Sequence, residues 1–325
     1  MPQIDLPLEQ LLEYAGRNPK PADFDLFWDD SLAQMRALDP QIELVAHEIN
    51  APFVECFDLF FTGVGGARVY AKYLRPKNLE TPAPAVLNFH GYTGASSSNW
   101  SDYFGYVARG FCVAALDCRG QGGRSQDVFS GTGNTQHGHF IRGLHDARNG
   151  APEKLYFRNV FLDTAQLAKI VGEFPEVDAN RLGAKGGSQG GALTLVCAAL
   201  ANIKKAAPEY PFLCDYQRVW EMDLAQGAYS ELKTYFRNYD PRHERHDEIF
   251  TALGYIDIQH LMPRVRAEVL MGVGLMDTIC PPSTQFAAWN KISSPKKYVS
   301  YPDFAHEGLP GFGDLGFEFL GGLCE

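Results

Sequence analysis

Short runs of hydrophobic residues, most of them ending in glycine or a polar residue, recur along the chain and predict buried strands. Because successive positions in each run are hydrophobic, both faces of each strand should be covered, as in a parallel sheet. The runs occupy residues 85–91, 112–120, 181–187, 268–277 and 297–303. Helical patterns lie between them, most clearly at residues 155–174 and 192–201. This alternation predicts an α/β fold with a mostly parallel central sheet flanked by helices.

Further elements are predicted around this alternating pattern. Residues 57–63 and 67–74 flank a glycine-rich turn and predict an antiparallel hairpin ahead of the parallel strands. Residues 1–40 carry hydrophobic residues at helical spacing, which predicts an N-terminal helical extension. The segment from about 216 to 262 is rich in charged and aromatic residues and predicts a helical insertion near the functional site. We expect residues 1–325 to form a single domain.

Composition narrows the range of partners. Hydrophobic residues make up 45% and charged residues 21% of the chain, as in ordinary globular proteins. The net charge of −10 argues against nucleic acids and anionic membranes, because phosphate binding needs a basic surface. With no secretion signal and no hydrophobic stretch of membrane-spanning length, a cytoplasmic location is expected. The seven cysteines form no CxxC pair, and we predict no metal or cofactor.

The glycine-rich segment GAKGGSQGG at residues 183–191 carries the strongest chemical signal. A phosphate-binding loop needs a lysine after its glycines, whereas Lys185 precedes the glycine pair. Residues 186–190 instead match GxSxG, between a predicted strand and a predicted helix. This context is typical of a nucleophile elbow, where glycines let the backbone pass closely around a serine on a sharp turn. A plain glycine turn also fits, so the interpretation depends on partners for Ser188.

A nucleophilic serine needs a histidine to take its proton and a carboxylate to orient that histidine. In α/β-hydrolases the acid follows the serine in the chain, and the histidine follows the acid. Asp277 ends the predicted strand at 268–277, and His306 follows the one at 297–303. Asp303 is an alternative acid, although its place three residues before His306 favours a turn. We therefore predict that Ser188, Asp277 and His306 form a catalytic triad.

The remaining site predictions concern the oxyanion hole and the acyl pocket. In this fold, backbone N–H groups come from the residue after the nucleophile and from a loop after an early strand. These residues are Gln189 and Tyr92. Phe212 is a candidate wall of a small acyl pocket, with a role as an ordinary core aromatic as the alternative. The pair His137 and His139 could suggest a metal site, but no set of carboxylates or cysteines accompanies it.

Several motifs together resemble the acetyl xylan esterase and cephalosporin C deacetylase group, which is family seven of the carbohydrate esterases. The similarity spans nearly the whole chain. It includes PADFDLFW (21–28), HGYTG (90–94), RGQGGRS (119–125), GGSQGG (186–191), YPFLCD (210–215), GLMDTICPPSTQFAAWN (274–290) and HEG (306–308). The RGQ motif, Arg119-Gly120-Gln121, belongs to this pattern, and we expect it to brace neighbouring loops through multiple hydrogen bonds.

This resemblance implies an α/β-hydrolase fold and the same five residues as triad and oxyanion donors. It implies a serine esterase that deacetylates small molecules such as acetylated xylo-oligosaccharides and cephalosporin C-type acetates. It also implies a homo-oligomer, commonly a hexamer. Two alternatives stay open: a carboxylesterase or acyl-peptide hydrolase with a wider pocket, and a catalytically silent relative that acts in binding or assembly.

Overall fold

The computed structural model describes residues 4–132 and 138–325. Over those residues, nine strands form one sheet in the spatial order β1-β2-β3-β5-β4-β6-β7-β8-β9. The strands are β1 (Glu43–His47), β2 (Val54–Thr62), β3 (Arg68–Pro76), β4 (Ala83–Phe89), β5 (Cys112–Asp117), β6 (Val177–Gly187), β7 (Lys205–Glu209), β8 (Glu268–Gly274) and β9 (Lys296–Tyr301). The predicted strands are confirmed, whereas β1 and β7 were not predicted.

The first part of the sheet is antiparallel. Strand β2 pairs with β1 on one side and with β3 on the other, and β3 then pairs with β5. The predicted hairpin is therefore confirmed, with Phe57 opposite Tyr73. Its turn contains Gly65 and Gly66 at φ angles of 82° and 89°, a backbone conformation that glycine adopts without a steric penalty.

The rest of the sheet is parallel and confirms the predicted α/β architecture. Parallel pairing joins β5 to β4, β4 to β6, and then β6, β7, β8 and β9 in sequence. Because these strands run in the same direction, their carboxyl ends lie along a single edge of the sheet. Residues that directly follow β4, β6, β8 and β9 are thereby brought near one another.

The α-helices cover both faces of the sheet. They are α1 (Leu8–Leu11), α2 (Phe24–Ala37), α3 (Phe104–Ala108), α4 (Leu144–Arg148), α5 (Tyr156–Gly172), α6 (Gln189–Leu200), α7 (Tyr216–Glu221), α8 (Ser230–Tyr239), α9 (His246–Gly254), α10 (Pro282–Trp289) and α11 (Phe312–Gly321). Short 3₁₀ helices span Val64–Gly66, Trp100–Tyr103, Pro152–Lys154, Gly227–Tyr229, Ile258–His260 and Met262–Arg264. No helix among the described residues is both long and hydrophobic enough to cross a bilayer.

Alternate strand residues enter separate hydrophobic cores. Leu87 of β4 belongs to the larger core, which contains most of α5 and α6, whereas its neighbour Val86 belongs to a smaller core with residues of α3 and α11. This division follows from the strand period of two, which points successive side chains to opposite faces. Both faces of β4 are therefore buried, as its continuous hydrophobic sequence predicts.

The N-terminal segment packs against the segment between β7 and β8. Asp215, fully buried just before α7, accepts hydrogen bonds from the Tyr14 hydroxyl at 2.8 Å and the Asn18 backbone N–H at 2.9 Å. Trp28 of α2 stacks on Phe161 of α5 with ring centroids 5.8 Å apart. Helices α1 and α2 lie within residues 1–40, and α7, α8 and α9 lie within 216–262. The division of residues 1–325 into one domain with these two additions stays a prediction.

Candidate active site

Ser188 occupies the sharp turn between β6 and α6. Its φ of 58° and ψ of −118° lie outside the regions that most residues favour, so the turn is strained. The strand and the helix are so close that the neighbouring glycines cannot be replaced without movement. A Cβ atom on Gly190 would lie 2.1 Å from the Phe89 carbonyl oxygen, and one on Gly186 would lie 2.5 Å from the same atom. These contacts explain why glycines flank the serine.

The structure brings Ser188, His306 and Asp277 together as the sequence predicts. His306 Nε2 lies 2.9 Å from Ser188 Oγ, and His306 Nδ1 lies 2.8 Å from Asp277 Oδ2. Because a carboxylate only accepts hydrogen bonds, Nδ1 carries the ring proton and Nε2 can accept the serine proton. Asp277 is fully buried, whereas the His306 side chain is 22% exposed. The three side chains can thus pass a proton from serine to histidine.

The second carboxylate oxygen of Asp277 is also fixed. Asp277 Oδ1 accepts the backbone N–H groups of Ile279 and Cys280, each at 2.8 Å. The carboxylate therefore cannot rotate without breaking these two hydrogen bonds. The alternative acid Asp303 is exposed, so the geometry favours Asp277 as the partner of His306.

The predicted oxyanion donors lie on adjacent elements. Gln189 is the first residue of α6, where backbone N–H groups have no carbonyl partner within the helix, and Tyr92 follows β4. The fully buried Gln189 side chain joins these elements. Its Nε2 donates to the His90 carbonyl at 3.4 Å and to Gln121 Oε1 at 3.1 Å, and Gln121 Nε2 donates back at 2.9 Å. The loop that carries Tyr92 is thus held beside the start of α6.

The RGQ motif contacts neighbouring loops. Arg119 forms a bidentate pair with the buried Asp163 of α5, at 2.7 and 2.6 Å, and also donates to the Val64 carbonyl at 2.8 Å. The hydrogen bonds of Arg119 and Gln121 join the hairpin turn, α5 and the start of α6, in agreement with the expected supporting role. A charge pair this deeply buried is sensitive to the loss of either partner.

Aromatic side chains enclose the site next to Tyr92. Phe212 is 1% exposed, and its ring centroid lies 5.5 Å from that of Tyr92 and 4.5 Å from that of Tyr229. Its backbone N–H donates to the Ser188 carbonyl at 3.1 Å. Phe212 therefore supports both the elbow and the Tyr92 ring, and its part in the acyl pocket stays a prediction.

The sequence patterns did not identify Glu231, at the start of α8, as a site residue. Its carboxylate accepts a hydrogen bond from the Tyr92 hydroxyl. Burial raises the pKa of Glu231 to about 7, against the opposing effect of its hydrogen bonds. Since Tyr92 and Glu231 are 139 residues apart, sequence spacing gives no sign of this contact.

One cluster with potential metal ligands was found among the described residues. Asp277, Cys280 and His306 offer ligand atoms that lie within 4.8 Å of one another. However, both His306 ring nitrogens already take part in hydrogen bonds, and burial raises the pKa of the Cys280 thiol and favours its protonated form. A metal would have to displace these protons, so the cluster fits a proton relay better.

Of the histidine pair that could suggest a metal site, His137 lies outside the described residues. The His139 ring packs on Tyr156, with ring centroids 5.3 Å apart.

Comparisons with known proteins agree with this site. The sequence profile of the family described as acetyl xylan esterase (AXE1) matches residues 1–323. Acetyl esterase Axe7A of Xylanibacter ruminicola is 24% identical over an alignment of 305 residues, and the match covers 91% of this chain but only 65% of that protein's length.

Two solved structures resemble the protein over almost its full length. Acetyl xylan esterase 1 from Thermoanaerobacterium sp. JW/SL YS485 is 54% identical with a TM-score of 0.95, and the match covers 99% of this chain and 100% of that one. The acetyl xylan esterase from Paenibacillus sp. R4 is 33% identical with a TM-score of 0.91, over 97% of this chain and 99% of that one. These similarities confirm the α/β-hydrolase fold. The chain therefore belongs to the acetyl xylan esterase family of carboxylic ester hydrolases.

Proposed function

We propose that the protein is a serine esterase that removes acetyl groups from small acetylated molecules through an acetyl-enzyme intermediate. The observation that carries this proposal is the continuous hydrogen-bonded series from Ser188 Oγ through His306 to Asp277, with distances of 2.9 and 2.8 Å. A serine in this arrangement can be deprotonated as it attacks a carbonyl carbon.

In the proposed reaction, Ser188 Oγ attacks the ester carbonyl while His306 Nε2 takes the serine proton. Asp277 stabilises the resulting imidazolium without accepting its proton. The backbone N–H groups of Tyr92 and Gln189 stabilise the negative charge on the former carbonyl oxygen. His306 then protonates the leaving alcohol. Water, deprotonated by His306, attacks the acetyl-enzyme and releases acetate, which returns the serine to its initial state.

Acetylated xylo-oligosaccharides and cephalosporin C-type acetates are the proposed substrates. The names of the similar proteins support the first class, and the motif resemblance supports both. The aromatic packing around Tyr92 and Phe212 favours a small acyl group, because both rings are held by neighbours and cannot move aside easily. Since neither ring is free to adapt, we expect acyl chains longer than acetyl to be poor substrates.

The decisive experiment compares acetyl, butyryl and octanoyl esters of one alcohol for the wild type and for Ser188→Ala. We expect turnover to fall steeply with chain length in the wild type and to disappear in the variant, which should also fail to react with a fluorophosphonate. Equal turnover of the three esters would favour a general carboxylesterase. Turnover that persists in Ser188→Ala would refute the mechanism, and a wild type without any turnover would favour a binding protein.

The assembly and the location of the protein stay predictions. We propose a homo-oligomer, with a hexamer as the expected form, on the basis of the motif resemblance alone, and we propose a cytoplasmic location from the sequence. Light scattering on the purified protein tests the assembly. A mass equal to one chain would contradict it.

A further inference from the structure

The side chain of Tyr92 is held from outside its own loop. Its hydroxyl donates to Glu231 Oε1 and accepts the backbone N–H of His139 at 3.0 Å. The other carboxylate oxygen, Glu231 Oε2, accepts the backbone N–H groups of Phe140 at 3.0 Å and Ile141 at 3.4 Å. A single carboxylate in α8 therefore joins the loop after β4 to the segment that precedes α4.

The surroundings of Glu231 are built closely around its carboxylate. The residue is 5% exposed. Gly138, at a φ of 110°, lies so near that a Cβ atom there would be 2.2 Å from Glu231 Cδ. A buried carboxylate is destabilising unless hydrogen bonds compensate for the lost water, and here each oxygen accepts at least one. The carboxylate is thus fixed relative to both segments that it joins.

The loop that contains Tyr92 needs such support. Thr93, the next residue, has a φ of 59°, which is unfavourable for a β-branched side chain. Strained backbone of this kind persists only when surrounding contacts hold it. Within the part of the chain that the structure describes, the Thr93 hydroxyl bonds inside its own loop, to the Tyr92 carbonyl at 2.7 Å, whereas the Tyr92 hydroxyl reaches Glu231 in another part of the fold.

We propose that Glu231 is a positioning residue for the oxyanion hole: by holding the Tyr92 side chain, it fixes the backbone N–H of Tyr92 in the catalytic geometry. This inference rests on the proposed function, in which that N–H stabilises the oxyanion. Glu231 itself contacts no reacting atom. Losing one oxyanion donor lowers kcat about 10²- to 10³-fold, so a displaced donor should lower it about 10- to 100-fold.

Two conservative substitutions break this connection at different ends. Tyr92→Phe keeps the ring and the backbone N–H and removes only the hydroxyl. Glu231→Gln keeps the size of the side chain but supplies a single acceptor oxygen. Since both carboxylate oxygens accept hydrogen bonds in the wild type, the amide nitrogen must replace one acceptor. If it faces residues 140 and 141, both of their N–H bonds are lost, and if it faces Tyr92, the hydroxyl can no longer donate to residue 231.

The first measurement is kcat and KM for 4-nitrophenyl acetate. We expect kcat to fall about 10- to 100-fold in each variant, with KM within about twofold of the wild type. The double variant Tyr92→Phe/Glu231→Gln should be no slower than the worse single variant, because both substitutions remove the same interaction. A merely structural role would lower the amount of folded enzyme and would make the two losses additive.

A second measurement distinguishes stabilisation of the oxyanion from binding of the ground-state substrate. A small trifluoromethyl ketone inhibitor adds Ser188 Oγ to its carbonyl carbon, the serine proton moves to His306, and the carbonyl oxygen becomes an oxyanion. Its inhibition constant should rise in both variants by the same factor by which kcat falls. Inhibition by the corresponding trifluoromethyl alcohol, which has no carbonyl and forms no oxyanion, should not change.

Controls keep the outcomes distinct. Glu248→Gln changes an exposed glutamate in the first turn of α9 and should leave kcat unchanged. If Glu231→Gln does not fold, as judged by circular dichroism, Tyr92→Phe alone decides the matter. Turnover by Ser188→Ala would refute the proposed function itself. An inactive Ser188→Ala together with full kcat in Tyr92→Phe would overturn only the role of Glu231.

Discussion

The substitution Asp277→Asn tests the proton relay, because the structure dictates how the new amide must lie. Asp277 Oδ1 accepts two backbone N–H groups, from Ile279 and Cys280, at 2.8 Å each. In the variant, the single amide oxygen should take that position, since an NH₂ group there would face two donors. The NH₂ group must then point to His306 Nδ1 and donate to it. The ring proton would move to Nε2, which could no longer accept the serine proton.

The magnitude follows from this change of tautomer. The corresponding substitution in serine proteases lowers kcat about 10⁴-fold, which equals about 5 kcal/mol of transition-state stabilisation. We expect a loss of this size in the steady-state hydrolysis of 4-nitrophenyl acetate. Because the hydrogen bonds to residues 279 and 280 are retained, thermal unfolding should remain close to that of the wild type. KM should change far less than kcat.

The chain supplies a matched control for this experiment. Asp303 is exposed and lies three residues before His306, so Asp303→Asn makes the same chemical change near the same histidine. We expect kcat within about twofold of the wild type, because a surface carboxylate contributes little to the site. A folded Asp277→Asn variant that loses less than about tenfold in kcat would refute the reasoning, as would an equal loss in Asp303→Asn.

Two further predictions concern stability. Gly190→Ala should destabilise the fold by about 1–3 kcal/mol, because its Cβ would lie 2.1 Å from a backbone oxygen. Gly316→Ala, in a helix where the nearest contact of the new Cβ is at 3.7 Å, should be neutral or stabilising. Urea unfolding of both variants measures this difference. The pKa of Glu231 is raised from 4.5 to about 7, so between pH 4.5 and 7 the folded state retains a proton that the unfolded chain releases. The contribution of this carboxyl group to stability should therefore decline as pH rises from 4.5 to 7. The unfolding free energy of the wild type relative to Glu231→Gln should therefore be larger at pH 5 than at pH 8, and an equal difference at both would contradict the assignment.

The sequence predicted that the three proposed triad residues lie together because the rule that governs their position is topological. Parallel strands place their carboxyl ends along one edge, so the residues after β6, β8 and β9 meet wherever such a sheet forms. Ser188, Asp277 and His306 each follow one of these strands closely. Their chain order and the glycines around the serine were sufficient to select them among the other serines, acids and histidines.

Strand β7 and Glu231 could not be predicted in the same way. The sequence of β7, KAAPE, is short, has a charged residue at each end and contains proline, so it lacks the hydrophobic run of a buried strand. It is a strand because β6 and β8 pair with it on both sides. Glu231 resembles any glutamate in a first helical turn, and only the folded chain shows that Tyr92 lies opposite it.

The contact between the N-terminal segment and Asp215 has a consequence for synthesis on the ribosome. Tyr14 and Asp215 are 201 residues apart, so the loop between α1 and α2 emerges long before its buried partner exists. At translation rates of about 5–20 residues per second, this interval lasts about 10 to 40 s. During that time the Tyr14 hydroxyl and the Asn18 N–H lack the carboxylate that accepts their hydrogen bonds. These hydrogen bonds can therefore form only after residue 215 has left the ribosome.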